Sequence, residues 1–229
     1  MDARAVREIV EWAITTRRSV RGFTNDPVPR ATVERILELG SRAPSGSNIQ
    51  PWKVHVVAGA ALERLKAALS AAHFAGKPEA REYEYYPTNW RSPYLERRRK
   101  VGWDLFTLTG VSRGDREASL RQRGRNYIFF GAPVGFVFTI DRDLGRGSWL
   151  DFGMFLENIM IAARGHQLDT CPQAAIANYP DIIRGQLGIG PDEMIVCGMA
   201  LGKADPDEPA NRLVTEREPL AGFCTFHED

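Results

Sequence analysis

Residues 133–163 read PVGFVFTIDRDLGRGSWLDFGMFLENIMIAA, and this stretch decides what kind of fold the chain can form. Residues 133–140 are short, apolar and followed by the charged DRD, which is typical of a buried strand. From Ser148 onward apolar residues recur at helical spacing, and Ser148 with Asp151 forms an S-x-x-D capping box that predicts the start of a helix. Because this helix is apolar along most of its length, we expect it to be central. Gly165 is placed to end it.

The segments on either side add more helices and strands. Their apolar spacing predicts helices over 3–16, after Pro29, around Leu62–Leu69 and after Pro180, and strands over 52–58 and 194–202. No internal repeat or long linker divides the chain. We therefore predict a single α+β domain over residues 1–229 with two appendages. These are an aromatic and charged insert over about 74–126 and a tail over about 203–229 that ends in the strand-like GFCTFHE.

Composition excludes several classes of protein. The 229 residues carry 30 basic and 29 acidic side chains, so the overall charge gives no reason to expect a nucleic-acid partner. The basic run ERRRK (96–100) has acidic neighbours and is interpreted as a solvated surface. Three widely spaced cysteines form neither a disulfide framework nor a zinc motif, and the four histidines are scattered singly, so we predict no metal site. With no signal-like amino terminus and no apolar run of about 20 residues, we expect a cytoplasmic protein without a membrane partner.

Against this balanced charge, TTRRSVRGF (15–23) places three arginines within five positions. If the segment is extended, Arg17, Ser19 and Arg21 point to one side and Arg18 to the other. Guanidinium groups match phosphate oxygens bidentately, so the segment suits a phosphate ligand. A surface ion-pair cluster with acidic neighbours remains an equal alternative from this stretch alone.

A second stretch, APSGSNIQPW (43–52), supplies small residues, exposed backbone donors and the amides of Asn48 and Gln50. Such groups suit the polar edge of a planar heteroaromatic ring. Together RRSVRGF, APSGSNIQPW, TCPQAA (170–175) and NRLVTEREPL (211–220) resemble, in matching order, the nitroreductase family of flavoproteins. The insert from Tyr86 to Trp103 is similar to that of the nitrobenzoate and nitroaromatic reductase branch.

The resemblance implies a nitroreductase-like fold with a mixed, mostly antiparallel sheet flanked by helices. It also implies a homodimer that exchanges its C-terminal strand and holds FMN at the interface. The residues that match the family's FMN-binding positions are Arg17, Arg18, Ser19, Arg21, Pro44, Ser45, Asn48, Thr170, Cys171 and Arg217, with Arg212 as a weaker candidate. Arg21 is expected beside the N1–O2 edge of the flavin. No catalytic acid is assigned among the protein's residues, and Cys171 is expected to be structural.

The implied activity is FMN-dependent ping-pong transfer of a hydride from NAD(P)H to a small nitroaromatic acceptor. A reductive dehalogenase, an enone reductase and a non-catalytic flavin-binding protein share the same motifs and remain alternatives. Within the insert, residues 83–103 carry four of the six tyrosines, which predicts an aromatic lid over the substrate, although a packed satellite core is also consistent with them. One arginine of Arg97–Arg99 would then hold a carboxylate or nitro group.

Overall fold

A four-stranded antiparallel sheet forms the centre of the molecule. A computed structural model of the chain describes residues 2–228. The strands are β1 (Lys53–Ala58), β2 (Val134–Asp141), β3 (Asp169–Gln173) and β4 (Glu193–Gly202), in the order β1-β2-β4-β3. Each neighbouring pair is antiparallel. One isolated parallel bridge joins Ser19 to Thr170 in β3. The predicted α+β class and the mostly antiparallel sheet are confirmed.

Helices cover both faces of this sheet. They are α1 (Ala3–Thr16), α2 (Arg30–Gly40), α3 (Gly59–Phe74), α4 (Tyr94–Leu108), α5 (Arg116–Gly124), α6 (Arg146–Gly165) and α7 (Pro180–Leu187). Alternate side chains of β2 point in opposite directions, so Phe136 and Phe138 pack with α2 and α6, whereas Val137 packs with α3 and α7. Within residues 2–228, no helix combines the length and apolarity needed to cross a bilayer.

The central helix α6 starts earlier than its sequence predicts. It begins at Arg146, and Gly145 at its N-cap provides no side-chain hydrogen bond. Ser148 and Asp151 lie inside the helix and are buried, so the predicted capping box is wrong. The Asp151 carboxylate instead accepts a hydrogen bond of 3.1 Å from the backbone N–H of Gly46. Asp151, which the local pattern assigned to the helix cap, therefore binds a residue distant in sequence instead. The predicted end at Gly165 is confirmed.

Helix α1 has the predicted apolar spacing but leaves most of its apolar side chains uncovered. Ala13 is its one buried residue. Its exposed apolar residues, 42–55% accessible, are Val6, Ile9, Val10, Trp12 and Ile14. Phe223 and Phe226 of the tail are each 70% exposed, and no strand forms within residues 203–228. The exchange of a C-terminal strand between subunits stays a prediction.

The insert is anchored at its beginning. Ala80 N–H donates to the carbonyl oxygen of Asn178 at 2.9 Å. Glu82 accepts from Arg184 and from the backbone N–H of Ile195, and the Tyr83 hydroxyl donates to the carbonyl oxygen of Val196. The residues up to 83 are therefore scaffold. The insert then forms α4 and α5, two helices that the sequence reasoning did not predict.

Candidate active site

Four arginines converge on one cavity of about 400 Å³ beside the end of α1, which we call the arginine cavity. Its polar walls come from Arg17, Arg18, Ser19, Arg21 and Arg217. Within residues 2–228 no acidic side chain lines it, and the one salt bridge of these arginines joins Arg17 Nε to Glu157 Oε1 at 3.5 Å. The cavity therefore concentrates positive charge that an anionic ligand would neutralise.

Arg18 lies on the same cavity as its neighbours, which corrects the predicted alternation of side chains. Arg17 has φ −59° and ψ 133°, close to polyproline II geometry. That conformation turns successive side chains by about a third of a turn rather than half a turn. Arg18 is therefore not forced to the opposite side.

The arginine segment is held against β3. Ser19 bridges to Thr170, and Val20 N–H donates to the Thr170 carbonyl oxygen at 3.0 Å. Cys171 follows in the same strand and is buried. Burial raises the pKa of the Cys171 thiol to about 11, although Arg21 and Arg17 act to lower it. The thiol therefore stays protonated near neutral pH, as a structural role requires.

A second cavity, of about 640 Å³, lies at the end of β3 that carries Pro172 and Gln173. Its walls are mainly apolar, and we call it the aromatic cavity. Its lining includes Tyr83, Tyr85, Trp149, Phe152, Leu156 and Val196. The rings of Tyr83 and Trp149 pack with their centroids 4.6 Å apart. Burial raises the pKa of Tyr83, so this ring is neutral. Two exposed charged residues, Arg146 and Glu84, also line the cavity. Such a cavity suits a flat, largely apolar molecule with one polar end.

Strand β3 and the residue that follows it lie close to both cavities. Thr170 and Cys171 lie next to the arginine segment, whereas Pro172, Gln173 and Ala174 line the aromatic cavity. At about 3.3 Å per residue, the run from Cys171 to Ala174 spans roughly 10 Å. The two cavities therefore lie a short distance apart along β3, and Thr170 and Cys171 between them are buried.

Other residues predicted for the site lie elsewhere in the single chain. Pro44, Ser45 and Asn48 line neither cavity. Their loop is largely exposed and has positive φ angles at Ser47, Asn48 and Gln50. Their part in ligand binding stays a prediction that requires a second subunit.

Arg212 is exposed and does not line the arginine cavity, in contrast to Arg217. Arg97, Arg98 and Arg99 are also absent from the aromatic cavity. Arg97 pairs with Glu218 at 2.5 Å, and the Arg98 guanidinium lies 4.7 Å from the Trp90 ring. The expectation that one of Arg97–Arg99 reaches the substrate is not supported by this arrangement. Arg146 is the arginine that lines the cavity, and the sequence reasoning missed it.

The structure also reveals side chains that hold the arginine segment in place. Asn211 and Arg125 make hydrogen bonds to the backbone of Arg21, and Glu208 pairs with Arg125. Asn211 belongs to the NRLVTEREPL stretch, where the sequence drew attention to its neighbour Arg212 instead. The motif match drew attention to this stretch, but it selected the charged side chain of Arg212 rather than the amide side chain of Asn211.

Comparisons with known proteins identify the family of this chain. The model of the Nitroreductase family matches residues 14–203, which is most of the chain. The chain belongs to the nitroreductase family. Among its relatives in the family, the 4-nitrobenzoate reductase of Pseudomonas putida is 39% identical over 213 residues, with 93% of each chain covered. The chloronitrobenzene nitroreductase of Comamonas testosteroni is 40% identical, with 96% of this chain and 97% of that protein covered.

A solved nitroreductase also shares the whole fold. The FMN-dependent nitroreductase NfnB of Mycobacterium smegmatis, in complex with NADPH, superposes with a TM-score of 0.93 at 30% identity. The match covers 97% of this chain and 100% of that chain. At this coverage, the insert and most of the tail have counterparts in NfnB.

Proposed function

We propose that the chain is an FMN-dependent oxidoreductase that transfers electrons from NAD(P)H to small nitroaromatic acceptors. The observation that carries this proposal is a pair of cavities, one lined by the arginine segment that bridges to Thr170 and the other lined by Pro172, Gln173 and Ala174. One cavity is lined by four arginines without an acid, and the other has aromatic walls. The names of the relatives in Pseudomonas and Comamonas, and of NfnB, support the same chemistry.

The residues present fit FMN at both ends. Arg17, Arg18 and Arg217 would bind the phosphate, with the Ser19 hydroxyl as a neutral donor. FMN held there would supply the redox chemistry that links NAD(P)H to the acceptor, and the two reactants would use one site in turn. Arg21 lies between the phosphate end and β3, where its charge can face the N1–O2 edge of the ring. No protein side chain is needed as a redox centre.

The aromatic cavity is the proposed acceptor site. Trp149 and Tyr83 offer ring faces for a flat acceptor, and the apolar walls of Phe152 and Val196 exclude water from it. Arg146 would hold a carboxylate on the acceptor ring, which suits a nitrobenzoate. NADH or NADPH can serve the reaction as described.

The active form is proposed to be a homodimer. The exposed apolar face of α1 and the exposed aromatic rings of the tail are surfaces that a second copy of the chain would cover. Pro44, Ser45 and Asn48 would then complete the site from one subunit or the other. The insert beyond residue 83 is proposed to close over the acceptor. The cytoplasmic location expected from the sequence belongs to the same proposal.

The test is reconstitution followed by anaerobic turnover. The purified chain is titrated with FMN, and the flavin absorbance is recorded after adding NADPH or NADH and then 4-nitrobenzoate. We expect bleaching by the nucleotide and recovery of the yellow colour with the nitroarene. Stable binding of FMN without bleaching would make the chain a flavin-binding protein, and failure to bind FMN would refute the proposal.

A further inference from the structure

The backbone of Arg21 is held by side chains rather than by a neighbouring strand. Its N–H donates to Asn211 Oδ1 at 2.7 Å. Its carbonyl oxygen accepts from Arg125 at 2.8 Å. Both backbone polar groups of this residue are therefore satisfied by side chains distant in sequence, from the tail and from the segment before β2.

These side chains are themselves fixed. Asn211 Nδ2 donates to the carbonyl oxygens of Gly22 at 2.8 Å and Asp205 at 2.9 Å, which also sets the orientation of its amide. Arg125 forms a two-pronged pair with Glu208, at 3.0 and 2.5 Å. The hydrogen bond from Arg125 holds the pKa of Glu208 below its usual value, so Glu208 is ionised at neutral pH. We call Arg125, Glu208 and Asn211 the Arg21 brace.

The segment next to Arg21 packs closely against the brace. A Cβ at Gly22 would lie 2.3 Å from Cγ of Glu208, so a side chain at position 22 would collide with Glu208. The Arg21 side chain makes one hydrogen bond within the described residues, from Nη1 to the Ser19 carbonyl oxygen at 3.1 Å. The brace therefore fixes the backbone from which this side chain extends, and the bond to Ser19 helps to orient the guanidinium.

We infer that the brace positions the Arg21 guanidinium against the flavin and so adjusts the reduction potential of the flavin without touching it. This inference rests on the proposed binding of FMN. A cation near the N1–O2 edge stabilises the added negative charge when the ring is reduced, and this interaction weakens with distance. Loosening the brace should therefore lower the midpoint potential toward the value of a protein that lacks the Arg21 side chain.

Asn211→Ala is the principal variant, and Arg212→Ala is its matched control, since Arg212 is adjacent and exposed and lines neither cavity. In the FMN-free protein, NMR exchange of the Arg21 amide should become about 5- to 10-fold faster in Asn211→Ala, as expected for one lost hydrogen bond. Asn211→Asp keeps the acceptor for this amide but turns a carboxylate oxygen toward the carbonyl oxygens of Gly22 and Asp205, so its protection should lie between those of wild type and Asn211→Ala. Glu208→Gln loosens the Arg125 arm and serves as a second variant if Asn211→Ala does not fold.

With FMN bound, Asn211→Ala should lower the midpoint potential in the wild-type background and leave it unchanged in an Arg21→Ala background. A purely structural role would lower the melting temperature in both backgrounds and leave both potentials unchanged. Unchanged exchange at Arg21, or an equal change of potential with and without Arg21, would overturn the brace. Faster exchange in a protein that binds no FMN would instead refute the proposed function, and the tuning role with it.

Discussion

Replacing Arg217 with alanine should weaken FMN binding while leaving the fold and the binding of riboflavin intact. Arg217 lines the arginine cavity, and its hydrogen bonds reach only its neighbours Thr215 and Glu216. Its removal therefore breaks no long-range contact of the hydrogen-bond network, and the free energy of unfolding should change by less than about 0.5 kcal/mol.

The magnitude follows from the chemistry of the contact. A hydrogen bond between a guanidinium and a phosphate contributes about 1.5–3 kcal/mol, which corresponds to a rise in the FMN dissociation constant of roughly 10- to 150-fold. The lower part of this range is expected, because Arg17 and Arg18 line the same cavity and still attract the phosphate. Riboflavin lacks the phosphate, so its affinity should not change.

The assay is quenching of flavin fluorescence, measured for FMN and for riboflavin with wild type, Arg217→Ala and Arg212→Ala. Arg212→Ala removes the same charge from a position outside the cavity and should retain wild-type affinity for both flavins. An equal loss of affinity for FMN and riboflavin in Arg217→Ala would show that Arg217 acts on something other than the phosphate. Unchanged FMN affinity would refute its assignment to the site.

Three further outcomes are expected. Arg146→Gln should lower kcat/KM for 4-nitrobenzoate by about 5- to 10-fold and that for nitrobenzene little, and equal losses for both acceptors would remove Arg146 as a carboxylate receptor. Deleting residues 220–229, which spares the brace, should convert the proposed dimer to a monomer in sedimentation experiments, and a truncated protein that remains a yellow dimer would contradict the tail's proposed role. The pKa of Glu208 is lowered from 4.5 by its hydrogen bond with Arg125, so its stabilisation is present above that pH and lost as the pH falls through the lowered value. The melting temperature of wild type should therefore fall more steeply below about pH 4.5 than that of Glu208→Gln, and parallel pH profiles would exclude this contribution.

The elements of the main domain were accessible from sequence because their pattern is local. The helix at 3–16, the strand at β4 and the helix opened by Pro180 follow directly from apolar spacing and from turn residues. Helix α4 was not accessible. It buries none of its residues in the single chain, so no apolar stripe marks it, and prolines and charges suggested irregular structure instead.

The candidate site divides in the same way. Residue type and motif order were enough to select Arg17–Arg21 and Arg217, which the structure brings to one cavity. The brace was not predictable, because Arg21 and Asn211 are 190 positions apart and their bond joins a backbone group to an amide. Asp151 shows the reverse error, since a local capping pattern concealed a partner 105 positions away.

The separation of Arg21 from Asn211 also has a consequence for biosynthesis. At roughly 5–20 residues per second, translation of the intervening 190 residues takes roughly 10–40 s. Throughout that time the nascent arginine segment lacks the tail that holds it and that contributes Arg217. The chain is therefore expected to acquire its cofactor only after the ribosome has nearly finished, so that nascent chains stalled before residue 211 should be colourless even when free FMN is abundant.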